Sequence, residues 1–178
     1  MPSLITHAYA GVAAGAIYAS GPMPPRFWAL ACVCGMLPDI DAVGYYLGVR
    51  YTSTFGHRGF THSILFAAAA GIIVTELAFP GVPRWSAEWF SLAGFFFAAT
   101  LLHPLLDAIT TGGFGVALFS PFNRRRYFFP WHPVLVSPMG VRAFLTRYGW
   151  RVLKSEMRWI WGPMAAIALL AWIIRGVG

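Results

Sequence analysis

The sequence predicts an all-α fold: a polytopic membrane helical bundle of about five spans, with an interfacial amphipathic helix on its cytoplasmic side. Three observations lead there. Of the 178 residues, 58% are apolar and only 11% charged, with a mean hydropathy of +0.63. A soluble domain carries about 25% charged residues. The apolar residues fall into five runs of near-span length, and the charges collect between the runs. At membrane depth the backbone must satisfy its own hydrogen bonds, so the runs are read as helices. The length suits one integral-membrane domain, residues 1–178.

The first run, Leu4–Ser20, has no Lys or Arg before it and reads as a retained span rather than a cleaved signal. "GPMPPR" separates it from the second, Phe27–Val49. Pro38 disfavours helical geometry at Leu37, so a break and a fresh helix start are expected there. Cys32 and Cys34, the only cysteines, sit in this apolar run and read as packing residues. The third run, Phe60–Phe79, carries one charge, Glu76, and "GVPRWS" separates it from the fourth, Trp89–Thr111. A Gly/Pro-interrupted region from Gly112 to about Gly140 follows. Phe144–Arg158 mixes aromatic and basic residues as an interfacial helix would, and Trp159–Ile174 is the fifth span.

The net charge is +7. With five crossings, Arg50, Arg58 and the eight basic residues from Arg124 to Arg158 share one face. Arg26, Arg84 and Arg175 share the other. Ten against three predicts that the richer face and the N-terminus are cytoplasmic and the C-terminus outside. The basic surplus suits anionic headgroups, and no nucleic-acid-binding motif is present.

There are six carboxylates and five histidines. A charged residue inside a span costs about 2.5–3.5 kcal/mol on insertion scales and calls for a reason. Asp39 and Asp41 lie in "LPDID", His57 and His62 in "HRGFTH", and His103 and Asp107, four apart, share one helix face. With His7, all seven fall toward the same basic side. His103 lies roughly 12 Å below the interface at 1.5 Å per residue, so a recessed polar cavity is expected.

Imidazole and carboxylate without thiolate is a donor set for a divalent transition metal: zinc, with manganese or iron as alternatives. Seven donors could serve one or two ions. Arg58, between two candidate ligands, is placed to hold a phosphate, while Asp39 or Asp41 could bridge ions or take a proton. Thr61, Ser63, Thr110 and Thr111 are candidates for supporting the ligands. His132 in "PWHP" reads as an interface anchor. Arg124–Arg126 reads as a positive-inside anchor or as an anion-capturing run. Glu156 reads as a partner of a nearby arginine, or as a ligand or catalytic group.

His7, "LPDIDA", "HRGFTHS", "HPLLDAITTGG", "SPF" and "SEMRW" occur in this order along almost the whole chain. In this the chain resembles the YdjM family of inner-membrane metal-dependent hydrolases. The resemblance implies a bacterial inner-membrane location and a hydrolase-type metal site. The ligands would fall on His7, Asp39, Asp41, His57, His62, His103 and Asp107, with Glu156 a further member. The His-x-x-x-Asp step at His103 and Asp107 is also similar to one in zinc-dependent phospholipase C and the single-strand nucleases. That likeness directs the expectation toward a phosphoester of a membrane lipid, cleaved at the cytoplasmic leaflet by metal-activated water. Amide or ester hydrolysis of a lipid is the neighbouring alternative. A non-enzymatic metal-binding structural or regulatory role is the second class.

Overall fold

The computed structural model describes residues 1–138 and 140–176, so Met139 of the Gly112–Gly140 region lies outside them. α1 (Leu4–Tyr18) opens on Ser3, whose hydroxyl accepts from the Thr6 N–H. α2 (Pro25–Met36) begins on a proline, where the missing N–H costs nothing. A 3₁₀ turn, Leu37–Asp41, leads into the short α3 (Ala42–Tyr46). α4 (Ile64–Ala78) and α5 (Ala87–Ala108) are capped by Ser63 and Ser86, which accept from the N–H groups of Phe66 and Trp89. The last elements are α6 (Val141–Phe144), α7 (Arg147–Glu156), a π-turn (Met157–Trp161) and α8 (Gly162–Gly176). No strand is formed among the described residues. The only pairings of that kind are isolated bridges, Thr110 with Val134 and Val116 with Tyr127. The fold is all-helical, as expected.

Pro25–Gly44, Ala87–Ala108 and Arg147–Gly176 are long and apolar enough to cross a membrane. α1 and α4, 15 residues each, are apolar but shorter. At 1.5 Å per residue they reach about 22 Å, against about 30 Å of hydrocarbon.

Two expectations are corrected. Leu37 keeps helical geometry (φ −54°, ψ −39°), so Pro38 does not break the second segment. It stands in the first turn of the 3₁₀ helix, where no N–H is needed, and the chain tightens instead of stopping. The expected separation between an interfacial helix and a fifth span is also absent. The π-turn absorbs one residue's worth of mismatch and carries α7 directly into α8.

α1 packs on α2, and α4 on α5. Phe27, Ala31, Cys34, Phe79, Leu92, Phe95, Phe96 and Ala99 form the larger apolar core between them. A smaller cluster joins Ala10 of α1 and Leu106 of α5 to Val134 and to Ile160 of the π-turn. The α1–α2 contact is so close that a Cβ on Gly11 would collide with the Ala31 carbonyl, and one on Gly35 with the His7 carbonyl. Arg175 of α8 donates to the carbonyls of Ile17 and Ala19, tying the last helix to the end of the first.

Gly11→Ala is therefore expected to destabilise the protein by about 1–3 kcal/mol, as overpacking does. A Cβ on Gly94 meets nothing within 4 Å, so Gly94→Ala should be neutral or slightly stabilising. Thermal unfolding in detergent, followed by circular dichroism, checks the pair; equal melting temperatures would contradict the packing.

Candidate metal centre

The seven donors arrive on five separate stretches of chain. His7 stands on the second turn of α1, Asp39 and Asp41 on the 3₁₀ turn after α2, and His103 and Asp107 on the last turns of α5. His57 lies in the loop before α4. His62 closes a second 3₁₀ turn, Phe60–His62, instead of lying within α4 as expected. Ser63 is the helix cap, so α4 can begin only after it.

The structure brings all seven together. The side chains of His7, His62, His103 and Asp107 are fully buried, those of Asp41 and His57 are 3% exposed, and that of Asp39 is 7% exposed. The His7 and His103 rings stack with centroids 3.5 Å apart, and His62 meets His103 edge-on at 4.8 Å.

Hydrogen bonding divides the seven into two kinds. Both ring nitrogens of His7, the Nε2 atoms of His62 and His103, and both oxygens of Asp39 and of Asp107 are buried with no hydrogen-bond partner. Leaving such atoms unpaired is costly, and native structures rarely do so without a reason. Their separations are short: His7 Nε2–Asp107 Oδ1 3.3 Å, His103 Nε2–Asp39 Oδ1 3.4 Å, His62 Nε2–Asp107 Oδ2 3.6 Å and His62 Nε2–Asp39 Oδ1 3.7 Å. Ligands about 2.0–2.2 Å from a shared ion lie about 2.8–3.8 Å from one another at angles of about 90–120°. The residues fit a metal ion.

Asp41 and His57 are already engaged. His57 Nδ1 lies 2.7 Å from Asp41 Oδ1. Asp41 Oδ2 accepts from the Arg58 N–H (3.1 Å) and the Thr61 hydroxyl (2.6 Å). Since Thr61 has given its proton to Asp41, its oxygen accepts from His62 Nδ1 at 3.1 Å. That leaves the lone pair of His62 on Nε2. His103 Nδ1 donates to the Gly35 carbonyl (2.8 Å), which again exposes Nε2. Such partners fix tautomer and ring orientation around a metal. Two groups, Asp39–Asp41–His57–His62 and His7–His103–Asp107, each have donor atoms within 4.8 Å of one another. The hydrogen bonds nonetheless favour one centre, because Asp41 and His57 Nδ1 are spent on support.

Arg58 was expected to be free for a phosphate. It is 1% exposed, and Nε lies 2.8 Å from Asp107 Oδ2, as an ion pair without hydrogen-bond alignment. Its Nη1 and Nη2 donate to the Gly112 carbonyl (2.9 Å) and Thr110 Oγ1 (3.2 Å). The guanidinium therefore serves Asp107. Asp39, Asp41 and Asp107 carry three negative charges and Arg58 one positive. With neutral histidines, one divalent cation would bring this buried group to zero, and two would leave it at +2. Buried charge must be compensated, so the balance favours one ion.

Glu156 does not join the site, nor does it pair with an arginine. It is fully buried, and its oxygens accept from the Ser3 N–H (2.5 Å), Ser3 Oγ (2.6 Å) and Thr6 Oγ1 (2.7 Å). It thus holds the N-terminus of α1, one turn before His7. His132 is exposed and packs edge-on against Phe128. Thr110 supports Arg58, and Ser63 only caps α4.

A recessed polar cavity was expected; the seven side chains lie buried, and chain from the Gly/Pro-interrupted region covers them. Residues 111–137 lace across the donor-bearing stretches. Ala117 N–H donates to the Arg58 carbonyl, Phe129 N–H to Ala108, Ile64 N–H to Leu118 and Ser137 N–H to Met1. Sequence reasoning missed this cover, the Gly35 carbonyl and Arg126. Arg126 carries no local signal among three consecutive arginines. Burial pulls its pKa down, and pushes that of the neighbouring Tyr51 up.

The chain is 37% identical over 174 residues to the inner membrane protein YbcI of Escherichia coli (strain K12), covering 97% of this chain and 98% of that one. No solved structure matches it. The model of the YdjM inner membrane protein family matches residues 1–177, and the chain belongs to that family.

Proposed function

We propose that the protein is a membrane-embedded, metal-dependent hydrolase that cleaves a phosphoester of a lipid or other amphiphile at the cytoplasmic leaflet. The observation that carries this reading is the convergence of five buried residues, His7, Asp39, His62, His103 and Asp107, each with donor atoms that have no hydrogen-bond partner. One divalent ion, zinc first among nitrogen- and oxygen-liganded metals, would take a donor atom from each of them and balance the charge. Bound there, it would polarise a phosphoryl oxygen and acidify a water. The protein's own residues do the rest. Asp41 and Thr61 hold His62, Gly35 holds His103, and Arg58 neutralises Asp107. The cover of residues 111–137 excludes bulk water. The excess of basic residues on the site's side supports a cytoplasmic orientation, with the C-terminus outside.

The closed centre and the engaged Arg58 favour a second reading, a metal site that is structural or regulatory. Turnover separates the two. Metal-loaded protein, incubated with a bacterial lipid extract and followed by mass spectrometry, should consume a phosphoester-containing species and lose that activity on chelation. Binding without turnover of any lipid would leave the structural reading.

Purified protein is expected to carry about one equivalent of divalent metal per chain. His103→Ala and Asp107→Ala should lose most of it, whereas Thr61→Val should retain the site at about tenfold weaker affinity. Elemental analysis and Co²⁺ titration check this, and full occupancy in both alanine variants would remove those residues from the ligand set. Cysteines at position 124 should react with impermeant reagents only from the cytoplasmic side of inverted vesicles. The opposite pattern would place the site in the other leaflet.

A further inference from the structure

Arg126 is the one member of the Arg124–Arg126 run that is not fully exposed. Its Nη2 donates to the Tyr51 carbonyl at 2.8 Å. Its Nη1 lies within bonding distance of three more carbonyls: His57 at 3.1 Å, and Arg58 and Gly115 at 3.3 Å. The guanidinium also lies over the Tyr51 ring, 5.1 Å from its centroid. A planar fork with five N–H donors can gather several acceptors that a lysine ammonium could not hold in one plane.

What it gathers is the backbone on either side of an unfavourable residue. Arg58 has φ = +61°, a left-handed conformation in which a residue with a Cβ is strained. That conformation turns the Arg58 side chain inward to Asp107 and the carbonyls of His57 and Arg58 outward. The Ala117 N–H meets the Arg58 carbonyl at 3.0 Å, and Arg126 meets both carbonyls. A strained residue persists only where its surroundings over-determine it.

We infer that Arg126 is a positioning residue for the metal centre: its fork holds the His57–Arg58 backbone in the left-handed turn that sets Arg58 against Asp107 and the Arg58 N–H against Asp41. Arg126 touches none of the five unsatisfied donors, so it acts through Arg58 and Asp41. The inference rests on the reading of the cluster as a metal site.

Co²⁺ titration of the full-length protein in detergent, followed by visible absorption, tests it alongside the melting temperature of the metal-free form. Arg126→Ala should weaken Co²⁺ binding at least tenfold, and free guanidinium in the buffer should recover part of the loss. Arg124→Ala and Arg125→Ala, exposed neighbours of the same charge, should bind within about twofold of the parent. Arg126→Lys keeps the charge without the fork. If it restores the melting temperature but not the affinity, positioning is supported. If it restores both, the role is charge alone and the inference falls. Unchanged affinity in Arg126→Ala also overturns it, while leaving the metal site standing. A parent protein that binds no Co²⁺ or Zn²⁺ would instead overturn the metal reading, and this inference with it.

Discussion

Asp107 is a fully buried carboxylate on an apolar helix, and the organisation of the site follows from what keeps it there. An ionised group at that position must be compensated by charge or hydrogen bonds. The structure supplies Arg58 at 2.8 Å and places His7 and His62 within 3.6 Å. Yet neither Asp107 oxygen has a hydrogen bond, and Asp39 is in the same condition. Arg58 offsets one of the three aspartate charges. On the metal reading, a divalent cation offsets the other two, and its five ligands are drawn from the residues whose atoms are left unpaired.

Support for those ligands extends outward in layers. Thr61 and Asp41 orient His62, and the Gly35 carbonyl orients His103. Gly35 does this from the point where α1 and α2 approach too closely for a Cβ, so helix packing and ring orientation share one residue. Glu156 reaches from α7 to the first turn of α1 and ties the C-terminal helix to the element that carries His7. The cover then seals the group from its remaining side. The centre therefore depends on contacts spread over nearly the whole chain, from Ser3 to Glu156. Because those contacts cross so many elements, a change at the α1–α2 crossing should be felt at His103.

Much of this is legible before folding because polar residues are so scarce in the chain. A histidine or aspartate within an apolar run stands out, and counting five crossings leads to the expectation that all seven lie toward one side. The division into ligands and supports is not legible. Asp39 and Asp41 are identical residues two apart, and only the tight 3₁₀ turn aims one at the open donors and the other at Thr61 and His57. Arg58 looks like a substrate-binding residue because its left-handed backbone, which turns it onto Asp107, has no sequence signature in a non-glycine residue. Glu156 lies 150 residues from Thr6, and the π-turn that carries α7 into α8 lies in Met157–Trp161, where no glycine or proline marks it. Pro38 misleads in the opposite direction, since a proline in the first turn of a 3₁₀ helix does not interrupt the chain.

The central claim is a single metal centre held by three imidazole nitrogens and two carboxylates. X-ray absorption spectroscopy of the zinc-loaded protein addresses it directly, because scattering paths report both the ligands and any neighbouring metal. One ion is expected, with nitrogen and oxygen ligands at about 2.0–2.2 Å, the multiple-scattering pattern of three imidazoles and no sulfur. A metal–metal path at about 3.5–4 Å would show a two-ion site and contradict the division into ligands and supports. A spectrum of fully hydrated zinc would contradict the metal centre altogether.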